Sequence, residues 1–522
     1  MEEPLDDVRS NAELTAAAAG GLRWITYARI AIETTLLGSM VVLARLIPPA
    51  EFGIFAIVVI VQELALTMPM EGIGSALVQR RRVDREHLQG GLVLSLAVGA
   101  VLSLLTIALA LLVVDPLFGG RMASLVLLAV PWYLLGALYC VPMAVLRRRL
   151  DFRRVSLVDI TQNLVRVAAT IALAFAGLDA EALVLGCLAG MAAAVALAVA
   201  FVGLPLPRWR PGAMRDLLPY GGPAALSCVA WTGFRNGDYA IIAATLGTAA
   251  AGFYWRGYQL AVEYQRKISV VMAQMAFPVL ARAETAQDRL ALRRRMVQLL
   301  TVVLFPLLVT LVLLAPVVVP WLFGPAWRPA VLPTQILALG GAAVLVTDAV
   351  GAALQAAGRS RALLGYGVAH FGVYAGAVLA VASHGLAAVA VAASVVHTVF
   401  LLVAYRVLMH REGSGALRAL WGDVAPASVA CVALLAAAGP AEWGLTRLDA
   451  PALAHIVGVG GAGTIAYLLA LRTWFPASFA DLAAALRRVA PERARAALRP
   501  GPALRLGRSA LRRAGSRGAR VP

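Results

Sequence analysis

The sequence has almost no lysine and little charge of any kind. Its 522 residues are 14% charged, and Lys267 is the single lysine in the chain. A phosphate-binding loop of the type G-x-x-x-x-G-K-[ST] needs a lysine followed by a hydroxyl residue. Because Ile268 follows Lys267, the chain has no such loop, and we expect that it does not hydrolyse ATP.

Patterns typical of metal sites and disulfide frameworks are also missing. The six histidines show no H-E-x-x-H or similar ligand spacing, so the sequence predicts neither a metal site nor a cofactor. The cysteines all fall inside long apolar stretches, where we interpret them as small apolar residues. They are Cys140, Cys187, Cys228 and Cys431.

Apolar side chains, in contrast, are abundant. Hydrophobic residues make up 61% of the chain, and its mean hydropathy is +0.81. A water-soluble core cannot bury so much apolar surface, so we predict an all-α polytopic membrane protein with about 14 transmembrane helices. The predicted spans are 22–46, 52–71, 90–114, 122–146, 155–177, 181–204, 219–246, 252–278, 296–318, 329–357, 362–382, 386–408, 423–440 and 452–471.

The net charge of +18 is distributed unevenly over the loops. Every second loop between the predicted spans is rich in arginine, and the loops between these contain only three arginines, Arg121, Arg328 and Arg447. By the positive-inside rule, both termini and the basic loops are expected in the cytoplasm, and the charge needs no nucleic-acid partner. Arginines cluster in every second loop, at 80–85, 147–154, 208–215, 282–295, 359–361 and 406–418.

The two ends of the chain differ in charge. Residues 1–21 begin with acidic side chains and lack the basic start of a signal peptide, so we predict a cytoplasmic N-terminal segment. Residues 472–522 are rich in arginine and form a predicted basic cytoplasmic tail. Apolar residues from Phe479 to Val489 recur there at helical spacing, which indicates an amphipathic helix on the anionic lipids of the inner leaflet.

Short turns between the apolar spans occur twice. The turn at 44–55 resembles the turn at 244–254, and Leu-Phe-Gly at 117–119 recurs at 322–324. The offsets of 200 and 205 residues are nearly constant, which indicates a duplicated multi-helix unit. Two parallel copies of such a unit are typical of a transporter with its site between two lobes.

Ionisable side chains within the predicted spans are candidates for function, because burying them in lipid costs free energy. The basic ones suggest a cationic cavity for an anionic headgroup, since guanidinium groups bind phosphate through paired hydrogen bonds. These candidates are Arg29, Arg166, Arg235, Arg266 and Lys267. The alternative is that they pair with neighbours on their own helices, as Arg29 with Glu33, Arg235 with Asp238 and Lys267 with Glu263.

Three intramembrane carboxylates could instead bind a coupling proton or cation. They are Asp238, Glu263 and Asp348, and each could equally be structural. Glu63 and Asp348 stand apart from other charges in the sequence. We predict no catalytic residues, because the outward loops are too short to hold the acceptor of a polysaccharide polymerase or glycosyltransferase.

An ordered set of strings resembles the Wzx-type polysaccharide flippases, a family of the multidrug/oligosaccharidyl-lipid/polysaccharide exporter superfamily. The branch that it resembles handles lipopolysaccharide, exopolysaccharide and teichuronic acid repeat units. The strings lie at 44–53, 72–80, 146–152, 246–260, 277–282, 323–327 and 335–339.

The resemblance implies two six-helix lobes arranged in a V, at 22–204 and 219–408, with a linker at 205–218. An extra helix pair at 423–471 would follow. The implied substrate is an undecaprenyl-diphosphate-linked oligosaccharide, flipped from the inner to the outer leaflet of a bacterial cytoplasmic membrane by alternating access. A polysaccharide polymerase and glycosyltransferases are the implied protein partners.

Three other functions stay open at this point. A cation-coupled multidrug exporter of the same superfamily would need an acidic cavity, whereas the intramembrane charges here are mainly basic. A membrane polysaccharide polymerase would need longer outward loops. A scaffold that recruits glycosyltransferases through the basic tail would have no need of charges within its spans.

Overall fold

The computed structural model describes residues 11–80, 82–269, 285–356, 360–409 and 415–489, and all regular secondary structure in these ranges is helical. The helices are α1 (Asn11–Leu46), α2 (Pro49–Gln79), α3 (Arg85–Phe118), α4 (Gly120–Arg148), α5 (Phe152–Phe175), α6 (Ala180–Val202), α7 (Pro211–Leu246), α8 (Thr248–Tyr258), α9 (Ala286–Phe323), α10 (Val331–Ala356), α11 (Ser360–Val381), α12 (Leu386–Met409), α13 (Ala416–Arg447), α14 (Ala452–Trp474) and α15 (Pro476–Val489).

Several of these helices contain a local change of winding. A π-helical turn interrupts α2 at Met70–Gly74 and α3 at Ala110–Val114. Another, at Gln259–Glu263, follows α8 and leads into helical residues 264–269. Single π turns of this kind recur at functional sites in membrane and soluble helices. The turn at Gln259–Glu263 contains Glu263, one of the predicted coupling carboxylates.

The all-α membrane architecture is confirmed. In the described ranges, twelve helices are long and apolar enough to cross a membrane, and they correspond to twelve of the predicted spans. The predicted span 219–246 lies in α7, and the predicted span 252–278 continues into 270–284, outside the described residues. Fourteen crossings therefore stay a prediction. The amphipathic helix predicted after residue 472 is present as α15.

By their internal contacts, the residues divide into two compact units. The first comprises Met1–Glu263, Ala315–Gly340 and Gly365–His397, and the second comprises Tyr264–Leu314, Gly341–Leu364 and Thr398–Pro522. The core of the first unit contains the buried rings of Phe52, Tyr133, Tyr254 and Trp327. The core of the second unit contains Leu304, Leu345, Tyr405 and Tyr467. The predicted lobes at 22–204 and 219–408 stay predictions.

The two Leu-Phe-Gly turns of the sequence repeat share one backbone geometry. Gly119 has a φ of 85° and Gly324 a φ of 99°, a region that side chains with a Cβ rarely adopt. The Gly119 amide donates to the Asp115 carbonyl at 2.9 Å, and the Gly324 amide donates to the Pro320 carbonyl at the same distance. The two turns therefore share a local backbone geometry as well as a sequence, and the duplication of the whole multi-helix unit stays a prediction.

Candidate functional site

A buried carboxylate on α7 lies among tyrosines in the first unit. Asp238 is 5% exposed, and its carboxylate accepts a hydrogen bond of 2.7 Å from the hydroxyl of Tyr374 on α11. The Tyr239 amide donates to the other carboxylate oxygen at 3.0 Å. The Tyr254 hydroxyl lies 3.2 Å from that of Tyr374.

Two histidines extend this group of side chains. His370 Nε2 on α11 lies 3.2 Å from His397 Nδ1 on α12. The Tyr374 ring stacks on the His397 ring, with 5.3 Å between centroids and 26° between planes. We call Asp238, Tyr254, His370, Tyr374 and His397 the His–Tyr–Asp cluster. The sequence analysis identified only its aspartate, although His370 and Tyr374 lie four residues apart and share one face of a membrane helix.

Two other carboxylates of the first unit lie near α7. Glu63 on α2 accepts a hydrogen bond of 2.9 Å from the side-chain amide of Asn236. Helix packing thus brings Glu63 to a neutral side chain 173 positions away in the sequence. Glu263 is half-buried at the end of the π turn that follows α8 and lies in the surroundings of Tyr239.

In the second unit the structure brings together two predicted site residues. The Arg266 guanidinium donates to both carboxylate oxygens of Asp348, from Nε at 3.0 Å and from Nη2 at 3.3 Å. The two side chains are 16% and 22% exposed. Asp348 was therefore wrongly interpreted as standing apart. The neighbouring Lys267 is exposed, and its Nζ lies 5.0 Å from the centre of the Tyr264 ring.

The remaining basic candidates are less enclosed. Arg29 is 68% exposed and lies 4.0 Å from Glu33, the neighbour on its own helix. Arg166 is half-buried on α5 and donates to Asn163 Oδ1 at 3.2 Å. The side chain of Arg235 lies outside the described residues. The proposal that these residues line one cavity stays a prediction.

A buried arginine that the sequence analysis missed lies in an aromatic box. The Arg256 guanidinium is 4.2 Å from the ring centre of Phe52, 5.0 Å from that of Trp255 and 5.8 Å from that of Trp327. The side chain is 5% exposed. Its Nη1 also donates to Gln259 Oε1 at 2.8 Å. Cation–π contacts of this kind are strongest when water is excluded, so the box fixes the C-terminal end of α8 against α2.

Part of the sequence matches the model of a known protein family. The model of a family described as polysaccharide biosynthesis protein matches residues 42–332, more than half of the sequence. The chain belongs to this polysaccharide biosynthesis family. The strings that resembled the Wzx-type flippases lie mostly within the matched region, and the resemblance is confirmed.

Named relatives of this family member point to the same processes. The chain is 24% identical to the lipopolysaccharide biosynthesis protein WzxC of Escherichia coli over 353 residues. The aligned residues cover 65% of this chain and 70% of WzxC. The chain is 25% identical to the teichuronic acid biosynthesis protein TuaB of Bacillus subtilis over 334 residues, or 60% and 67%. Both names refer to the biosynthesis of a polysaccharide, in agreement with the description of the family.

A solved structure shares the fold of this member of the polysaccharide biosynthesis family. The lipid II flippase MurJ in an inward closed conformation superposes with a TM-score of 0.68 at 12% identity, covering 86% of this chain and 99% of that one. At this identity the likeness concerns the fold alone. The structural likeness extends beyond residue 332, where the match to the family model ends.

Proposed function

We propose that the protein flips an undecaprenyl-diphosphate-linked oligosaccharide from the inner to the outer leaflet by alternating access. The oligosaccharide would be the repeat unit of an exopolysaccharide, an O-antigen or a teichuronic-acid-type polymer. The family match at 42–332 carries this proposal. The names of the relatives support it, since they concern lipopolysaccharide and teichuronic acid biosynthesis.

In this proposal, basic side chains within the spans bind the diphosphate in a cationic cavity between the predicted lobes. A guanidinium group donates in a planar fork that matches two phosphate oxygens, which is the reason for assigning the headgroup to arginines. The side chains assigned to the cavity are Arg29, Arg166, Arg235, Arg266 and Lys267.

The pair formed by Arg266 and Asp348 suggests how binding and coupling are connected. A diphosphate presents oxygens in the same paired geometry that the Asp348 carboxylate presents to Arg266. The diphosphate would therefore replace Asp348 as the partner of Arg266 during transport. The released carboxylate would then take up a proton or cation, because an ion without a partner is unstable in a membrane protein interior. Asp238 and Glu263 are the other proposed coupling carboxylates.

The orientation and partners are part of the same proposal. The arginine-rich loops and both termini would face the cytoplasm of a bacterial cell, with α15 and the tail against anionic lipids of the inner leaflet. Arg295 on α9 donates to Asp481 on α15 through two nitrogens, which supports a position of α15 beside α9. Glycosyltransferases would act before the flipping step, and a polysaccharide polymerase would act after it.

A null mutant tests the function. Lipid-linked oligosaccharides would be assigned to a leaflet with a membrane-impermeant glycan probe. The proposal predicts accumulation on the inner leaflet, loss of the surface polymer and rescue by the wild-type gene. Repeat units that reach the outer leaflet but stay unpolymerised would contradict the flippase and favour a polymerase. Normal leaflet distribution with altered resistance to organic cations would favour the multidrug exporter.

Rescue of the null mutant by variants tests the proposed cationic cavity. Arg166→Ala and Arg235→Ala are expected to fail in rescue, while Arg328→Ala, an exposed arginine after the Leu-Phe-Gly turn, is expected to rescue fully. Membrane abundance of each variant would be measured by immunoblot. Rescue by both Arg166→Ala and Arg235→Ala would leave the flippase assignment intact and contradict the assignment of these side chains.

A further inference from the structure

The two histidines of the His–Tyr–Asp cluster meet through their ring nitrogens. His370 Nε2 and His397 Nδ1 are 3.2 Å apart, and the planes of the two rings are inclined by 76°. His370 is buried and His397 is half-buried. A contact of this length requires one N–H group and one acceptor nitrogen. The neutral pair therefore holds one proton between the rings, in either of two tautomeric arrangements.

This geometry sets how many further protons the pair can take. One added proton goes to the outer nitrogen of the ring whose inner nitrogen is the donor, so the N–H···N contact is kept and becomes charge-assisted. A second proton would place two N–H groups against each other and break the contact. The pair is thus built to bind one proton as a unit rather than two independently.

Phenol rings lie against the pair. The Tyr366 ring lies 5.7 Å from the His370 ring, and the Tyr374 ring stacks on His397. Through its hydroxyl, Tyr374 connects the pair to the Asp238 carboxylate. Further titratable groups come from α7 and from α8 with its π turn, namely Tyr239, Tyr254, Tyr258 and Glu263. The side chain of Arg235, one turn before Asp238, lies outside the described residues.

Proton uptake at this place changes the charge balance of the cluster. Asp238 is a buried carboxylate whose described partners are two hydroxyl groups and an amide. A positive charge on the histidine pair would lie one helical turn along α11, in a region of low dielectric constant where opposite charges attract strongly. The proton would therefore draw α7, α11 and α12 together, and its loss would release them.

We propose that His370 and His397 form a proton-binding site and that Tyr374 couples its occupancy to Asp238 and to the packing of α7, α11 and α12. The ligand is the proton itself, bound by two imidazoles that share it. The coupling part rests on the proposed flipping function, in which a proton bound here sets the rate of the conformational step. Proton binding itself does not depend on that function.

Proton binding is tested on the purified full-length protein. With 13C-labelled histidine, the six histidines give few enough signals for assignment by single His→Gln substitution. Between pH 5 and 8, the signals of His370 and His397 are expected to move together with the uptake of one proton. In His397→Gln, the His370 signal should change its titration, while that of the exposed His384 should not. Independent protonation of both rings, or no change in either, would overturn the site.

Coupling is tested separately, by flipping in proteoliposomes that contain lipid-linked oligosaccharide extracted from the null mutant. The wild-type rate is expected to change about 5-fold or more between pH 5.5 and pH 8. His370→Gln and His397→Gln should abolish this pH dependence, whereas His384→Gln should keep it. A pH dependence unchanged in both pair variants, or a dependence on Na⁺ instead of pH, would overturn the coupling.

The histidine titration and the flipping assay distinguish failure of the proton site from failure of the proposed function. If the wild-type protein flips nothing under any condition, the proposed function fails, and the histidine titration still decides whether the proton site exists. Size-exclusion profiles and unfolding temperatures of the His→Gln variants identify any that do not fold. Once the signals are assigned with variants that fold, the wild-type titration alone shows whether the two rings share one proton.

Discussion

Gly53 on α2 and Gly252 on α8 each lie against the backbone of the other helix. A Cβ at Gly53 would lie 1.7 Å from the Thr248 carbonyl oxygen, and a Cβ at Gly252 would lie 2.0 Å from the Pro49 carbonyl oxygen. The contact is reciprocal and joins the two turns that the sequence repeats 200 residues apart. Each copy of the repeat thus supplies the small residue that allows the other copy to approach.

Adding a single methyl group at this contact is expected to destabilise the protein. In Gly53→Ala or Gly252→Ala, the new Cβ overlaps backbone atoms that cannot rotate away, so α2 and α8 must separate. Overpacking of this kind typically costs about 1–3 kcal/mol. The unfolding temperature of the purified protein in detergent should therefore fall.

Gly38→Ala is the matched control for that experiment. Gly38 is also helical, but a Cβ there would meet no atom within 4 Å. Its substitution removes a flexible residue from a helix and should leave the unfolding temperature unchanged or raise it. Equal unfolding temperatures for Gly53→Ala and Gly38→Ala would contradict the close packing of α2 and α8.

The aromatic box around Arg256 is expected to require the guanidinium group specifically. Arg256→Lys keeps the charge but loses the planar face that stacks on Phe52 and the fork that reaches Gln259. We expect a loss of about 1–2 kcal/mol of stability, measured as a lower unfolding temperature. Arg328→Lys, at an exposed position, should have no effect. An unfolding temperature that Arg256→Lys leaves unchanged would mean that a point charge suffices.

The sequence allowed the architecture to be predicted because membrane helices follow from local composition. The predicted spans 155–177 and 386–408 correspond closely to Phe152–Phe175 and Leu386–Met409. Partners were harder to predict, because side-chain contacts depend on which helix faces meet. The contact between Arg29 and Glu33, which is one turn away, was anticipated from spacing as the alternative to a cavity role.

The candidate site illustrates the same limit. Asp238 and Tyr374 are 136 residues apart, and no local pattern connects an aspartate on α7 with a tyrosine on α11. The same is true of the pair formed by Arg266 and Asp348, which are 82 residues apart. Histidines four residues from a tyrosine on a membrane helix were the available signal for His370. Metal-ligand spacing among the histidines does not reveal this signal.

A buried ion pair between α9 and α13 is expected to be the strongest single attachment of the extra helix pair. Arg293 and Asp423 form a salt bridge with side chains 5% and 1% exposed, and Tyr405 also donates to Asp423 at 2.7 Å. Asp423→Asn leaves a buried guanidinium without its counter-charge, which costs about 3–5 kcal/mol. The unfolding temperature should fall, or the variant should fail to accumulate in the membrane.

A more exposed ion pair on the same helix provides the control. Arg295 and Asp481 have side chains 67% and 28% exposed, so solvent weakens their attraction. Asp481→Asn should cost at most about 1 kcal/mol. If Asp423→Asn and Asp481→Asn lowered the unfolding temperature equally, burial would not be what gives the Arg293–Asp423 pair its strength.

Exchanging Arg266 and Asp348 distinguishes whether their ion pair only stabilises the fold or whether Arg266 also binds the substrate. Each single charge reversal is expected to abolish rescue of the null mutant. The double variant Arg266→Asp with Asp348→Arg restores opposite charges at the two positions, and membrane abundance should recover. If Arg266 binds the diphosphate during transport, surface polymer should still be absent. Full rescue by the double variant would show that the pair is structural.

The most direct test of the flippase assignment uses the purified protein. Lipid-linked oligosaccharide from the null mutant would be reconstituted into liposomes with and without the protein, and a membrane-impermeant glycan probe would measure the fraction exposed on the outside. The proposal predicts that oligosaccharide labelled slowly in protein-free liposomes becomes fully accessible when the protein is present, and less so with Arg166→Ala. Equal accessibility in liposomes with and without the protein would contradict it.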